Sequence, residues 1–549
     1  MLQISMMEKS GTFPKGVSVL DVVKELHPTL VDTTIACFSD GLSLGLSYPL
    51  TKNCILHPIT FQHEEGRRIY ERTLRFILYI AVKRLFPNDK LRVEHSLGYG
   101  IYACLLHRSL TMEEIAALKE EMENIVRCDY PFTLEKWTKQ QAVDYFQTIG
   151  ETDKVHLLDY RPYDFFYVYQ CNRVFEYFYG TMLPSTSYVT AFDLLHNAPG
   201  FVLQMPSPNN PKHAAKFKHL PKHLGVFQQS NQWCRILECS NAADLNDMIS
   251  HGKFREFIRV NEALHDKSIA TIAQDVVENG IKAVFVAGPS SSGKTTFSNR
   301  LGIHFRVLGK RPFLISLDDF YLDRVTLPLE KDGEPDLESL YSLNIECIQS
   351  TINDLLHGKE TYLPHFDFKK QRCDRKARKA RLAKDQILII EGIHGLNPIL
   401  HSAFDQSVMR KVFITELTCL NLDNHNRIRT TDARLLRRLY RDHHSRNVPI
   451  AQTLKMWEKV RAGEEKWIFP YQEQADYVFN SALHYELPVL KTMAKPLLAT
   501  ITKEDDNYIA IKRINKVLAY FLPAPKEHLQ EIPPLSILRE FIGDCTFYD

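Results

Sequence analysis

Nine residues near the middle of the chain combine small, cationic and hydroxyl side chains at a spacing suited to holding phosphate. Residues 288–296 read Gly-Pro-Ser-Ser-Ser-Gly-Lys-Thr-Thr and fit the pattern G-x-x-x-x-G-K-[ST]. The two glycines let the backbone curl so that its N–H groups point at phosphate oxygens, and the following helix adds its positive N-terminal end. Lys294 would reach the β- and γ-phosphates, and the Thr295 hydroxyl would bind Mg²⁺. The residues predicted to bind ATP are Gly288, Ser290, Ser291, Ser292, Gly293, Lys294, Thr295 and Thr296.

Carboxylates follow two other apolar runs. Asp318 and Asp319 come at the end of the run at residues 313–317, and Glu391 follows the run at residues 387–390. At the carboxyl ends of parallel strands, one such carboxylate can bind Mg²⁺ and another can accept the proton of an attacking hydroxyl. Acidic residues at strand ends are often only caps. The phosphate-binding pattern upstream favours the catalytic interpretation.

An arginine stripe forms the third feature. Arg434, Arg437, Arg438 and Arg441 recur at i, i+3, i+4 and i+7, which puts four guanidinium groups on one face of a predicted helix. A basic helix face is usually just solvated. Next to a triphosphate site, it is also what a lid needs to neutralise a phosphoryl group in transfer. The sequence therefore favours a lid, with Lys294, Arg438 and Arg441 as catalytic cations.

These groups need a scaffold that brings strand ends together. Short apolar runs at residues 283–287, 313–317, 387–390, 412–415 and 477–480 alternate with helical stretches. This alternation predicts a parallel sheet with helices on both faces, the α/β architecture of P-loop NTPases, over residues 281–490. After the phosphate-binding pattern, apolar residues recur at helical spacing until Gly309, where the helix is expected to end.

The motifs of residues 281–482 together resemble the uridine kinase/phosphoribulokinase family of P-loop kinases. The motifs that carry the resemblance lie at residues 288–296, 317–321 (Leu-Asp-Asp-Phe-Tyr), 364–368 (Pro-His-Phe-Asp-Phe), 390–393 (Ile-Glu-Gly-Ile) and 434–438 (Arg-Leu-Leu-Arg-Arg). The resemblance implies that Asp318 is the catalytic base and that Thr295, Asp318 and Glu391 surround the metal. It also implies a substrate pocket formed by Tyr321, Asp336, Phe366, Phe368, Gln371, Arg434 and Arg437.

The pocket departs from the family where the nucleobase would be recognised. Uridine–cytidine kinases have Tyr-Asp-Phe-x-x-His, whereas residues 366–371 of this chain read Phe-Asp-Phe-Lys-Lys-Gln. Phe366 and Gln371 thus replace two polar groups that contact the base, which weakens the expectation of pyrimidine specificity. Eight of the thirteen residues at 369–381 are basic. This stretch is expected to be a solvated hairpin. The alternative is that its basic side chains contact an anionic substrate or RNA.

The first 205 residues or so resemble the amino-terminal half of threonyl-tRNA synthetase. The resemblance rests on Ala-Val-Lys-Arg-Leu-Phe-Pro at residues 81–87, on residues 111–122, and on Leu-Pro-Ser-Thr at 183–186 with Ala-Phe at 191–192. It implies an α+β TGS-like domain at 1–62 and an editing-type domain at 63–206. A linker and helical connector at 207–280 and a C-terminal extension at 491–549 complete the predicted organisation.

The editing-type domain lacks the side chains of that family's hydrolytic site. Where the family has a His-x-x-x-His pair and a later Cys-x-x-x-His, this chain has Arg72, Phe76, Phe178 and Met182. A metal site cannot form without its ligands. The aromatic replacements are expected to fill the cavity, which predicts a scaffold or ligand-sensing domain.

The composition is that of a soluble globular protein. A chain of 549 residues is long enough for several domains, and 24% of its residues are charged and 44% hydrophobic. Its net charge of only +2 gives no electrostatic reason to expect binding to nucleic acid or a membrane. The eleven scattered cysteines contain no C-x-x-C pair, and no apolar run is long enough to span a bilayer. We expect a cytoplasmic homo-oligomer with reduced thiols.

The sequence therefore predicts an ATP- and Mg²⁺-dependent kinase that phosphorylates a primary hydroxyl, most simply the 5′-OH of a nucleoside. One alternative is a kinase of a sugar, polyol or vitamin-like alcohol. The other is an ATP-switched RNA-binding regulator, which would bind RNA with a steep salt dependence. A pure switch has no need of Asp318 as a base, which disfavours the regulator.

Overall fold

The computed structural model describes residues 1–327, 329, 333–418, 420–503, 505 and 508–547. The first module of the protein is a five-stranded sheet with one helix. Its elements are β1 (Leu2–Met6), β2 (Lys9–Phe13), α1 (Val19–Leu26), β3 (Thr34–Ser39), β4 (Leu42–Gly45) and β5 (Cys54–Thr60). The strand order is β2-β1-β5-β3-β4. Apolar runs at residues 34–38 and 54–61 predict β3 and β5. The other three strands were not predicted because none of them is a continuous apolar run: β1 and β4 alternate apolar with polar or small residues, and β2 is mostly polar.

The second module is built around one long buried helix. Its elements are α2 (Glu64–Leu85), β6 (Leu91–Leu97), β7 (Gly100–Leu105), α3 (Met112–Arg127), β8 (Thr133–Thr138), α4 (Lys139–Thr148), α5 (Thr152–Asp159), β9 (Phe165–Cys171), β10 (Val174–Glu176), β11 (Asp193–Asn197) and β12 (Gly200–Gln204). Four strands pair as β11-β12-β7-β6 and three as β10-β9-β8. Thr111 caps α3, since its hydroxyl accepts from the N–H of Glu114 at 3.2 Å.

The four positions of the family's hydrolytic site hold a packed interior. The rings of Phe76 and Phe178 are 5.5 Å apart between centroids, and Met182 belongs to the same buried cluster. The Arg72 guanidinium donates to the carbonyl of Thr181. Aromatic packing therefore fills this part of the domain, as the replacements predict.

The connector contains a hairpin and three helices. They are β13 (Pro206–Ser207), β14 (Asn210–Ala214), α6 (Pro221–Ile236), α7 (Ala242–Ser250) and α8 (Phe254–Glu278). The predicted linker and helical connector at residues 207–280 contains β14 and all three helices, and α7 and α8 form its helical part.

A five-stranded parallel sheet forms the centre of the next module. Its elements are β15 (Ala283–Ala287), α9 (Lys294–Val307), β16 (Arg311–Ser316), α10 (Ile345–Leu356), β17 (Thr361–Asp367), β18 (Arg372–Ala380), β19 (Gln386–Glu391), α11 (Pro398–His401), β20 (Met409–Thr415), β21 (Asn421–Asp423), β22 (Asn426–Arg427), α12 (Thr430–Arg446), α13 (Ile450–Trp467) and β23 (Tyr477–Asn480). The strands lie in the order β16-β19-β15-β20-β23, and every neighbouring pair is parallel. The predicted architecture is therefore confirmed, and the carboxyl ends of β15, β16 and β19 meet at one edge.

The last helices are α14 (Glu486–Leu498), α15 (Tyr508–Leu518) and α16 (Arg539–Ile542). Ile537 and Phe541 are buried in the same cluster as β15 and α9. The stretch predicted as an extension thus completes the core of the parallel-sheet module. Within the described residues, no helix combines the length and the apolar character needed to cross a membrane.

Candidate active site

The phosphate-binding pattern forms the turn between β15 and α9. Gly293 is left-handed (φ +85°), and a Cβ there would lie 2.4 Å from Ile537, while a Cβ on Gly288 would lie 2.1 Å from the carbonyl oxygen of Ile414. Both positions therefore need glycine, because a side chain would meet packed atoms. Ser291 is also left-handed at φ +60°. The turn has the glycine-dependent backbone that the sequence predicts, and its role in binding phosphate stays a prediction.

Lys294 opens α9 inside this cradle. Its Nζ donates to the carbonyl of Pro289 at 3.2 Å, and burial lowers the pKa of the amine, although Glu391 and Asp318 oppose this. The Thr295 hydroxyl lies 3.4 Å from Oε1 of Glu391. The lysine, the hydroxyl and the two carboxyls thus converge where β15, β16 and β19 end.

The two carboxyl groups, Asp318 and Glu391, are largely withdrawn from solvent, and both have raised pKa values. Burial and the charge of Asp318 raise the pKa of Glu391 to about 7, and the Ser316 hydroxyl donates to Glu391 at 3.1 Å. Burial, with help from Asp319, raises the pKa of Asp318. A divalent cation would relieve this crowding of negative charge. Oxygen ligands from Thr295, Glu391 and Asp318 are of the type that Mg²⁺ prefers, so these residues fit the metal.

Magnesium bound with a nucleotide needs few protein ligands. Among the residues that the structure describes, no group of three His, Cys, Asp or Glu side chains could hold a metal alone. Mg²⁺ commonly takes one or two carboxylates and completes its shell with phosphate and water oxygens. The candidate metal residues agree with a site of that kind.

Asp319 has a different task from Asp318. Its Oδ1 lies 2.9 Å from Nδ1 of His365 and accepts from the N–H of Phe366 at 3.4 Å. The Sγ of Cys373 donates to the carbonyl of Asp319 at 3.6 Å. Asp319 therefore ties the β17–β18 hairpin to the end of β16, which leaves Asp318 as the carboxyl at the phosphate site.

Three aromatic rings form a cluster beside Asp318. Tyr321 and Phe366 have centroids 5.6 Å apart, and Phe368 lies 5.0 Å from Phe366 at an interplanar angle of 74°. Phe366 is buried, whereas Phe368 is 62% exposed. The Tyr321 hydroxyl donates to the carbonyl of Leu337, which follows Asp336. The structure thus brings together four of the predicted pocket residues.

Gln371 lies in the same hairpin, three residues after Phe368. It is exposed at the turn between β17 and β18, with a left-handed backbone (φ +56°), and its N–H donates to the carbonyl of Asp367 at 2.6 Å. Its role in base recognition stays a prediction. The basic strand β18 is exposed over most of its length, and Lys379 pairs with Glu360 at 2.9 Å. A hairpin with exposed cations is what the sequence predicts here.

Three arginines of the stripe contact the phosphate-binding turn. Arg434 donates to the carbonyl of Ser290 at 2.9 and 3.0 Å, and Arg438 donates to the Ser290 hydroxyl at 2.9 Å. Arg441 donates to the hydroxyl of Ser291 at 3.3 Å. Burial, followed by the charge of Arg446, lowers the pKa of Arg441 to about 10. The stripe packs against the turn and is not a solvated face.

Arg437 faces the other way. Its guanidinium is fully buried, donates to the carbonyl of Ser481 at 3.0 Å and pairs with Glu486. It also lies 4.9 Å above the ring of Phe541. The structure therefore does not bring Arg437 to the turn, and its predicted place in substrate binding has no contact that supports it.

One carboxylate at the turn was not identified from the sequence. Glu464 of α13 is fully buried, accepts from the N–H of Ser290 at 3.2 Å and pairs with Arg434 and Arg461. These two arginines outweigh the effect of burial and lower the pKa of Glu464. A glutamate within an ordinary helical pattern carries no sequence signal of such a role.

The amino-terminal half forms hydrogen bonds with the chain just before α12, the helix that carries the four arginines. Residues 420–429, here called the bridging segment, lie between β20 and α12, and residues 420–428 are buried. Arg75 donates to the carbonyl of His425 at 2.8 Å, and Val93 donates to that of Asn424 at 2.8 Å. Arg68 pairs with Asp432, in the first turn of α12, at 2.9 Å. The front half therefore holds the start of the helix whose arginines contact the turn.

The sheet order, the phosphate-binding turn and the adjacent carboxylates define a domain of the P-loop kinase class. Residues 283–487 match the family model described as Phosphoribulokinase / Uridine kinase family. The match is confined to residues 283–487, and about 200 amino-terminal residues are similar to threonine–tRNA ligases.

Individual relatives cover only one part of the chain each. The threonine–tRNA ligase of Symbiobacterium thermophilum is 36% identical over 185 residues, which are 33% of this chain and 28% of the relative. A putative fructose transport system kinase from Silicibacter sp. TM1040 has a TM-score of 0.29 at 23% identity, covering 38% of this chain and 98% of that one. A possible uridine kinase from Bacillus stearothermophilus has a TM-score of 0.28 at 18% identity, covering 39% and 97%. The chain spans less than a third of the length of the ligase.

Proposed function

We propose that the protein is an ATP- and Mg²⁺-dependent kinase that transfers the γ-phosphate to a primary hydroxyl, the 5′-OH of a nucleoside. The observation that carries the proposal is the convergence of Lys294, Asp318 and Glu391 at one edge of the sheet, beside an aromatic cluster. When bound, ATP supplies the phosphoryl group and Mg²⁺ neutralises part of its charge. All other parts of the reaction are assigned to side chains of this chain.

In the proposed reaction, Asp318 accepts the proton of the acceptor hydroxyl. The hydroxyl oxygen forms a bond to the γ-phosphorus while the bond between that phosphorus and the β–γ bridging oxygen breaks, which leaves ADP. The raised pKa of Asp318 suits a base that must hold this proton. Lys294 stabilises the phosphates, and Thr295 and Glu391 hold Mg²⁺. Arg438 and Arg441 would turn from the serine hydroxyls to the phosphoryl oxygens, where donors stabilise charge in the transition state.

The aromatic cluster supports a nucleoside over a simple sugar. Tyr321, Phe366 and Phe368 present ring faces and edges within 5.0–6.3 Å of one another, and Phe368 is open to solvent. Rings of this kind stack on a planar base, which a sugar or polyol lacks. Asp336, next to the carbonyl that anchors Tyr321, would accept hydrogen bonds from ribose hydroxyls. Base identity remains open because Phe366 offers no hydrogen bond.

The test is ADP formation with a panel of acceptors, namely the four ribonucleosides and a set of sugars and polyols. We expect at least one nucleoside to stimulate ADP release and to yield its 5′-monophosphate. Turnover of sugars or polyols alone would contradict the nucleoside assignment. Absence of acceptor-stimulated ADP release with the whole panel would contradict the kinase.

Asp318→Asn tests the base in the same assay. The amide cannot take the proton, so kcat should fall by about 10²–10⁴-fold while ADP affinity stays close to that of the wild type. Lys294→Ala should weaken both, since the lysine contacts phosphate in the ground state and in the transition state. Wild-type turnover by Asp318→Asn would refute the assignment.

A further inference from the structure

A carboxylate from the far end of the chain lies at the phosphate-binding turn. Residues 533–545, here called the tail segment, run along the start of α9 and contain α16. Ile537 and Phe541 are buried against β15 and α9, and Ile537 is the side chain that Gly293 leaves room for. This packing brings Glu540 to the first turn of α9.

Glu540 takes three donors there. It accepts from the Thr296 hydroxyl at 2.8 Å and from the Thr296 N–H at 3.4 Å, and it pairs with Arg441 at 3.1 Å. Only 9% of its side chain is exposed. Arg441 in turn donates to Ser291 within the turn. The carboxylate therefore lies inside the ring of donors that surrounds the phosphate cradle.

These donors are the kind that an anionic phosphate uses. The N–H groups in the first turn of a helix have no partner within the helix, and the helix dipole adds positive potential. A hydroxyl and a guanidinium complete a set of donors of the type found around phosphate. Two anions cannot share Thr296 and Arg441, because like charges at this separation repel in a poorly solvated site.

We propose that Glu540 is an internal competitor of the nucleotide. It occupies the contacts of a phosphate group, and a nucleotide binds only after Glu540 has left Thr296 and Arg441. The inference rests on the proposed function, and it means that the tail segment inhibits nucleotide binding within the same chain. Displacement of Glu540 frees Arg441 for the incoming phosphates at the same moment.

The tail segment does not need this contact to stay folded. The Ser536 hydroxyl donates to Glu262 at 2.6 Å, and Arg539 donates to the carbonyls of Leu529 and Ile532, both at 2.9 Å. Ile537 and Phe541 supply buried apolar area in addition. Removal of one charge at Glu540 should therefore leave the fold intact.

The experiment compares Glu540→Gln with the wild-type full-length protein by calorimetric titration with ADP and with adenosine. The amide keeps the shape but carries no charge, so ADP should bind about tenfold more tightly, since the binding-competent fraction increases. Adenosine has no phosphate, so its affinity should be equal in both proteins. Glu531→Gln is the matched control, because Glu531 pairs with Arg259 at 2.7 Å and has no contact with the turn.

A second measurement uses the wild type alone. Hydrogen exchange of the amides at residues 536–545 should be faster with ADP than without it, as the segment loosens. Equal or weaker ADP binding by Glu540→Gln, an equal gain for adenosine, or exchange that slows with ADP would each overturn the competitor. If neither protein binds ADP, both the proposed kinase function and the competitor are wrong. If both proteins bind ADP with equal affinity, only the competitor is wrong.

Discussion

At the scale of single residues, the end of β19 joins three oxygen-bearing groups. The Glu391 carboxyl lies 3.4 Å from the Thr295 hydroxyl and 3.1 Å from that of Ser316. Burial and the nearby Asp318 raise its pKa to about 7. A carboxyl with this pKa is ionised in only part of the molecules at neutral pH.

This pKa predicts how activity depends on pH and magnesium. Metal binding and proton transfer both need ionised carboxylates, so at limiting Mg²⁺ kcat/KM should fall as the pH drops below about 7. Mg²⁺ favours the ionised form, so saturating Mg²⁺ should move this decline to lower pH. The measurement is a pH profile of kcat/KM at two Mg²⁺ concentrations. A profile that does not shift with Mg²⁺ would contradict the assignment of Glu391.

Residue types could be predicted from the sequence better than their partners. The Gly, Lys and Thr of the turn follow from a spacing that has one physical use. The division of labour between Asp318 and Asp319 does not, because it depends on His365, more than forty residues away on β17. Glu464 and Glu540 carry no pattern, since their role comes only from packing on Ser290 and Thr296.

At the scale of elements, buried strands could be predicted closely. The run at residues 477–480 coincides with β23 and that at 283–287 with β15. All five residues of β15 are apolar and buried because a central parallel strand is covered on both faces. The arginine helix was predicted with all four guanidinium groups on one face. A helix buried on several sides instead divides them, so that Arg437 faces Glu486 while its neighbours face the turn.

This division predicts that substitutions of two adjacent arginines on α12 affect different properties, one the catalytic rate and the other the stability. Arg438→Ala removes a donor at Ser290 and should lower kcat on the order of 10²-fold with little change in Tm. Arg437→Met leaves Glu486 buried without its partner, so it should lower Tm clearly. The measurements are steady-state kinetics and thermal unfolding of both variants. A larger loss of kcat in Arg437→Met at equal stability would contradict the division.

At the scale of the whole molecule, the bridging segment joins the two halves through buried polar contacts. Its sequence is mostly polar, yet Asn424 and His425 are at most 6% exposed. Arg92 donates to Asn424 at 3.1 Å, and His425 Nδ1 lies 2.8 Å from Glu176. The sequence could not predict this burial, because the partners lie about 250 to 330 residues upstream.

The ion pair between Arg68 and Asp432 tests the coupling of the halves. Arg68→Met removes one of the two cations that pair with the buried Asp432 and leaves Arg513, so it should destabilise the protein by about 1.5–3 kcal/mol. It should also lower kinase activity, since Asp432 lies in the first turn of α12, whose arginines contact the phosphate-binding turn.

Arg84→Met is the control for this substitution. Arg84 pairs with Glu121 within the front half, at a side-chain exposure of 30%. A pair of this kind contributes at most about 1 kcal/mol. Thermal unfolding and initial rates of both variants give the comparison, and an equal decrease in the two would contradict the coupling.

The bridging segment also bears on how the chain reaches its native state. Its contacts to Arg75 and Val93 close loops of more than 300 residues, and contacts of such high sequence separation form late. During synthesis the front half leaves the ribosome first, so it can fold before residues 420–429 exist and then serve as their template. The kinase module, in contrast, must wait for the tail segment before its core is complete. The front half thus precedes the kinase module along the chain, and its surface is available when residues 420–429 are synthesised and pack against it.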